Sequence, residues 1–551
     1  MEEYDAIIIG SGAGGLSAAI CLARAGHKVL VLEQHYVPGG WCHSFTLNGQ
    51  RFSPGVHYIG LVDEGQSTND LYKGLGVAND LVFFRMNKNA FEHCYLGDEK
   101  YDIAAGHANF ADSIGGYFPS EAKKIKKYLT LVKKVNEQMQ MFPRIKGFWN
   151  IVMAPFRTKD FAHNAFFSLK KVIGWHIKDP KIQAILNLQC GDHGLPPGKA
   201  SFAVHSAIMG HYFEGGFYPM GGGGGIVKAM TNRIKRLGGE VRVKQSVTKI
   251  LVKDNIAFGV QLEDGTTIKG KHIISNTDPT NTYLNLIGKE HISEKLAKRL
   301  GKTTYSVTSL ILFLTLDMDV TKAGIDSGNM WIFKDEHIDE HFQNLTTKDV
   351  TEGEEFPGIF MSCTTLKDPV SYNGRHHSFE IVTYVDYDSV KAFGNNDDYH
   401  SADYHSFKEK VIAKFMNTVE RMIPGAKQNV AQVELGTPKT NQFYINSTNG
   451  NVYGTEKKLS QVGPFGYKNT TEINNLYLCG ASTLSHGVTG ATYSGIEAAA
   501  RILGCTQKDL LQPDETQQLR IFDAEDPASW PEWVHKKRED KVRNFKEIIA
   551  E

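Results

Sequence analysis

The run DAIIIGSGAGGLSAAICLARAGHKVLVLEQ, residues 5–34, decides the fold. Tyr4 to Ile9 read as a short parallel strand, apolar and rich in β-branched residues. The strand runs directly into Gly10-Ser11-Gly12-Ala13-Gly14-Gly15, and a helical stretch follows that stops at Gly26. A second strand, Lys28 to Leu32, ends at Glu33. This is G-x-G-x-x-G in a β-α-β frame of about 30 residues, with an acid about 20 residues downstream. Gly10 permits the tight turn, Gly12 lets the backbone approach a pyrophosphate, and Gly15 lets helix and strand pack closely. The helix N-terminus then faces the phosphates, and Glu33 accepts from a ribose hydroxyl pair. The pattern predicts a dinucleotide site. A second glycine pair, Gly39-Gly40, follows the acid and suits a ligand buried along its length, FAD rather than a dissociating nicotinamide.

Outside this run the composition is that of an ordinary globular protein. At 551 residues the chain exceeds the roughly 250–300 at which one core stops growing, so at least two domains are expected. Lys+Arg and Asp+Glu are both 61, so no overall basic field points to nucleic acid. The seven cysteines are scattered and form no C-x-x-C pair, which offers neither a disulfide framework nor a metal cluster and fits a reducing, cytoplasmic setting. The opening MEEYDAIIIG lacks the positive charge of a signal peptide, and no window of 18 apolar residues spans a bilayer.

Two other regions invite a ligand reading. Gly221 to Gly225 is a five-glycine run before an amphipathic helix carrying Ile226, Met230, Ile234 and Leu237. No side chain can pack there, so a cofactor or substrate is expected to approach that backbone. Near the end, Leu476 to Gly480 reads as a strand leading through Gly487 and Gly490 into an Ala-rich helix, a second helix N-terminus able to face a flavin or a phosphate. A different chemistry marks residues 144–178, which hold seven Lys/Arg and one acid, a formal charge of +6, together with Phe148, Trp149, Phe156, Phe161, Phe166, Phe167 and Trp175. Basic residues among aromatics are the composition of a segment seated in anionic headgroups. It follows a helix whose apolar stripe is Ile125, Leu129, Val132, Val135 and Met139.

Taken with PGGWCHSF (38–45) and GVHYIG (55–60), the opening resembles the carotenoid desaturase, carotenoid isomerase and retinol saturase family of flavoproteins, leaning to the retinol saturase branch. Two further blocks, 218–250 and 476–503, are similar to that family's middle and C-terminal flavin segments. The resemblance implies an α/β fold with a Rossmann-like FAD-binding domain in three segments, 1–90, 215–300 and 471–505. An α+β substrate domain (91–214 and 301–470), with a helical membrane-facing part near 120–178, fills the gaps, and 506–551 forms a polar tail ending in a helix docked by its two tryptophans. It adds Ala13, Gly14, Gln34, Trp41, Val247, Gly480, Ala481 and Val488 to the cofactor residues, and places His486 beside the flavin ring. The implied activity is saturation, desaturation or isomerisation of a polyene isoprenoid by FAD, with NAD(P)H as a source of electrons, on a protein peripheral to a membrane. The proton donor is expected among His486, His57, Tyr58 and Glu214, with His211 and Tyr212 as further candidates. An amine oxidase relative and a prenyl-lipid escort resembling the Rab GDP-dissociation inhibitors are the alternatives.

Overall fold

The computed structural model describes residues 2–141, 153, 157–391, 401–512 and 514–550. Glu3–Ile9 is the centre of a mainly parallel sheet. Ile8 lies opposite Val31 of the strand Val29–Leu32, and Ile7 opposite Ile273 of the strand Thr267–Ser275. Glu240–Arg242 continues the sheet beyond Val29–Leu32, and Leu476–Leu478 adds to Thr267–Ser275, both in parallel. The antiparallel pair Val247–Lys253 and Ile256–Leu262 leads into Thr267–Ser275. Three distant parts of the chain thus build one sheet, the discontinuous Rossmann-like arrangement expected from the sequence.

Helix Ala13–Arg24 is buried from Ala13 to Ala23, because a second helix, Gly487–Leu503, lies against it. The approach is possible only for glycine. A Cβ on Gly495 would stand 1.9 Å from the Gly14 carbonyl oxygen, and one on Gly15 2.2 Å from the Gly10 oxygen. The Ser17 hydroxyl donates to the Thr492 carbonyl at 2.8 Å, joining the two helices across the contact. Leu16, Ala19 and Ile20 share their core with Ile496 and Ala499.

A second sheet runs in the order Val430–Gly436, Thr308–Leu316, His377–Val385, Gly358–Cys363, Asn329–Phe333, Glu92–Leu96 and Glu99–Ile103. Its alternation separates two faces. Leu310, Leu312, Leu314 and Leu316 pack with residues of the long helix Ala402–Met422, such as Val411 and Phe415. Ile311 and Phe313 belong instead to a core shared with helices Ala122–Met141, Leu169–His176 and Phe202–Tyr212.

That core corrects one expectation. The stripe Ile125, Leu129, Val132 and Val135 is fully buried, so helix Ala122–Met141 turns its apolar face inward and not toward lipid. The glycine run also differs from expectation. A Cβ on Gly223 would meet the Cys42 carbonyl at 2.4 Å, and one on Gly224 the Ser44 Cβ at 2.9 Å. What approaches this backbone is therefore the chain itself. The amides of Gly221, Gly223 and Gly224 donate to Asp368, Ser53 and Ser44, so a buried carboxylate occupies the N-terminus of helix Gly223–Arg236.

The tail contains a strand that the sequence reading lacks. Arg520–Asp523 pairs in parallel with Val82–Arg85, which pairs antiparallel with Phe217–Pro219. Trp530 is buried, donates its Nε1–H to the Asp523 carbonyl at 2.6 Å and meets Phe84 edge-on. Trp533 packs on the same small core, and helix Glu532–Ala550 follows. Among the described residues no helix is long and apolar enough to cross a membrane.

Overpacking a helix contact costs about 1–3 kcal/mol. Gly495→Ala is therefore expected to lower the melting temperature in calorimetry, whereas Gly116→Ala, in a helix and with open space around its Cβ, leaves it unchanged or slightly higher. Equal melting temperatures for the two variants would contradict the close-approach account.

Candidate functional site

A cavity lies at the carboxyl ends of the parallel strands, where Ile9, Leu32, Asn276 and Cys479 each follow or end a strand. This is the place at which open α/β sheets hold ligands. Gly10, Gly12, Ala13, Gly14, Glu33, Gln34, Gly39, Gly40, Trp41, Val247, Gly480, Ala481, Gly487 and Val488 all stand in its wall. Of the glycines expected there, Gly15 and Gly490 do not. Gly15 serves helix packing, and a Cβ on Gly490 would meet the Ser485 Cβ at 2.7 Å.

Glu33 is buried and held rigidly. Its Oε2 accepts from the Ser11 amide (2.9 Å) and hydroxyl (2.5 Å), and its Oε1 from the His35 amide (3.0 Å). A carboxylate offers about four acceptor positions, so one on Oε1 is free for a hydroxyl of a bound ribose. The Ser11 hydroxyl also accepts from the Gly39 amide at 2.9 Å, tying the second glycine pair to the first turn.

Sequence reasoning missed Asn276. It follows the strand Thr267–Ser275, and its amide side chain fills the gap between the first and last glycine turns. A Cβ on Gly12 would lie 2.7 Å from its Nδ2, and one on Gly14 2.7 Å from its Oδ1. The Cys479 thiol donates to the same oxygen at 3.3 Å. A polar residue directly after a parallel strand was the available signal. Asp278, two residues on and also in the wall, accepts from Thr448, Asn281 and Tyr305, and burial raises its carboxyl above the usual range.

The proposed proton donors separate. Glu214 is solvent-exposed at a turn, forms no part of the cavity wall and is set aside. His211, half-buried, accepts from the Gly60 amide through Nε2 (2.9 Å), and burial pushes its imidazole down to about 4. His57 is held by Glu380, Nδ1 to Oε2 2.9 Å. His486 caps the helix Gly487–Leu503 but is not in the cavity wall. Its Nε2 bonds the Asp192 carbonyl at 2.9 Å, and burial beside Lys457 pushes it down to about 3. Tyr58 donates to Asp192 Oδ2 at 2.7 Å and stacks on Tyr212, with ring centroids 4.0 Å apart.

Two lysines are also buried here. Lys367 donates to the His57 carbonyl (2.9 Å), Ser362 Oγ (2.7 Å) and Asn329 Oδ1, and burial lowers its ammonium. Lys457 donates to the Ala481 carbonyl at 2.6 Å and is pushed down to about 7 by burial. The second stands directly behind the last glycine turn.

The cavity fits an extended dinucleotide. Its phosphate stretch is backbone without side chains, its acid has an open acceptor position, and two helix N-termini, at Ala13 and Gly487, face it.

Comparison with known proteins agrees. The family described as flavin containing amine oxidoreductase matches residues 13–503, and the chain belongs to it. It is therefore a flavin-dependent oxidoreductase. The chain is 29 % identical over 527 residues to an all-trans-retinol 13,14-reductase of Danio rerio, covering 91 % of this chain and 86 % of the relative. It is also 29 % identical over 518 residues to the chloroplastic prolycopene isomerase 1 of an Oncidium hybrid cultivar, covering 91 % and 84 %. Among solved structures, an oxidoreductase from Methanosarcina mazei shares the fold with a TM-score of 0.62 at 18 % identity, covering 89 % of this chain and 99 % of that one.

Hydrogen bonds to a charged group contribute about 1.5–3 kcal/mol. Glu33→Ala should accordingly weaken FAD retention by a factor of ten or more, as measured by flavin fluorescence after dialysis. Full flavin occupancy in that variant would refute the ribose role.

Proposed function

We propose that the chain uses FAD to reduce a carbon–carbon double bond of a retinoid-like polyene. The observation that carries this reading is the likeness to an all-trans-retinol 13,14-reductase along 91 % of the chain. The bound flavin supplies hydride chemistry; the protein supplies position, exclusion of water and a proton. Trp41, in the cavity wall, packs against the same core as Phe45 and Tyr384, which gives a conjugated chain an apolar surface beside the cofactor. NAD(P)H is the proposed source of the two electrons that each saturation consumes.

A polyene of this kind is scarcely soluble in water and resides in membranes. We infer that the protein collects it there, through the region before and around helix Leu169–His176. Phe166 is 69 % exposed and Trp175 45 %. Lys171 stands 4.5 Å from the Phe167 ring and 5.8 Å from Trp175, placing positive charge beside aromatic surface. Arg144, Lys146, Phe148, Trp149 and Phe156, which complete the basic aromatic segment, lie outside the described residues.

Isomerisation is the second reading, favoured by an equal identity to a prolycopene isomerase. Incubating the flavin-loaded protein with all-trans-retinol and NADPH should yield a saturated retinol; with a poly-cis carotene alone, an all-trans product would favour isomerisation. Flavin bleached by amines, with neither polyene altered, would overturn both readings. Phe166→Ser together with Trp175→Ser is expected to reduce co-sedimentation with phosphatidylserine vesicles severalfold, and added salt to weaken binding of the unaltered protein. Equal, salt-independent binding would exclude this surface.

A further inference from the structure

Beyond the cofactor cavity, a group of polar side chains converges on Asp192, which lies in the short helical segment Leu188–His193. Its position is fixed by two residues from late in the chain, one before and one within the last flavin segment. His486 bonds the Asp192 carbonyl, and the Tyr453 hydroxyl donates to the neighbouring Gly191 carbonyl at 2.9 Å. Tyr453 and Gly487, which follows His486, both stand in the cavity wall. Tyr384 donates to the Gly191 carbonyl as well, at 2.7 Å.

The side chain of Asp192 is held at one end only. Oδ2 takes the Tyr58 hydroxyl, whereas Oδ1 has no protein partner among the described residues and is not sealed. Asp192, Tyr212, Tyr384, Tyr453 and His486 each keep part of their surface open, yet burial is the largest influence on the acidity of every one. These half-buried side chains form one cluster, joined by the contact between the Tyr384 and Tyr453 hydroxyls and by the Tyr453–His486 ring contact, and Tyr453 links it to the wall of the cofactor cavity.

We propose that Asp192 is the residue that gives the substrate its proton. The step balances as follows. When bound, reduced FAD would supply hydride to one carbon of the double bond, the π pair moving to the other carbon. Asp192 breaks its O–H bond and forms the second C–H bond there. The substrate would gain the two electrons that reduced FAD gives up, and water would restore the carboxyl proton.

The other acids are poorly placed. Glu92 is fully buried, with Oε2 bonded to the Trp331 indole at 2.7 Å and Oε1 closed off. The Tyr58 phenol is raised far above its ordinary range, and His486 is held as a neutral base. Burial pushes the Asp192 carboxyl up to about 7, so at neutral pH a large fraction carries the proton. Glu92 is also raised, with Lys367 nearby lowered, and Cys190 and His193 on the same segment are uncharged near neutrality.

This assignment rests on the polyene reading, and the experiment separates the two. In the flavin-loaded protein, Asp192→Asn should lower retinol saturation at least a hundredfold, the scale of general acid catalysis, with flavin content unchanged; Asp192→Glu should recover part of it. Turnover of the unaltered protein should fall as pH rises through about 7, since the acid form is the active one. The Tyr58 hydrogen bond favours the carboxylate, so Tyr58→Phe should move that inflection upward. Infrared titration of the substrate-free protein gives a readout independent of turnover: a carboxylic C=O band lost on raising the pH through about 7, absent from Asp192→Asn. An Asp192→Asn protein with undiminished saturation, or an inflection unmoved in Tyr58→Phe, would overturn the proposal. If the unaltered protein saturates no polyene, the functional reading fails, while the infrared band still reports whether Asp192 titrates near neutrality.

Discussion

The contact between the first helix and the last carries the architecture. Gly14 and Gly495 let two backbones approach to a distance that no side chain tolerates, and Asn276 fills the remaining gap between the two glycine turns. Because the cavity wall is drawn from residues 9–55, 245–286, 444–454 and 479–491, its shape depends on that one crossing. The glycines therefore do more than admit phosphates. They bring the end of the chain to its beginning, and a dinucleotide groove results.

The proposed reacting end is built on a different principle. The phosphate side uses backbone and a single rigid acid, which suits a charged, permanently bound partner. The cluster around Asp192 uses side chains from separate elements whose charges burial suppresses: a raised carboxyl, raised phenols and a lowered imidazole. Under the proposed reading, an apolar polyene would meet little charge there, the electrostatic condition that favours transfer of a single proton.

The first β-α-β unit was legible in the sequence because local rules determine it. Strand Glu3–Ile9, helix Ala13–Arg24 and strand Val29–Leu32 fall within a residue or so of the expected bounds, except at the helix ends. Most of the cofactor wall follows from glycine spacing and family likeness together. The glycine run at Gly221 to Gly225 misled because close approach can be explained by ligand or by protein, and spacing does not distinguish them; here Cys42, Ser44 and Asp368 fill the place. Asp192 and Asn276 were hidden for another reason. Each acquires its contacts from partners more than a hundred residues away, such as Tyr58 for one and Cys479 for the other, and no local periodicity marks such meetings. Arg520–Asp523 escaped notice because a four-residue strand at an edge carries almost no pattern.

The dependence of Ala13–Arg24 on Gly487–Leu503 also sets an order of events in the cell. More than four hundred residues separate the two helices, and ribosomes add about 5–20 residues per second. For some tens of seconds or longer Leu16, Ala19 and Ile20 lack Ile496 and Ala499, their partners from the last helix. The cofactor cavity, whose wall includes residues 479–491, is therefore completed only once that end of the chain has been made.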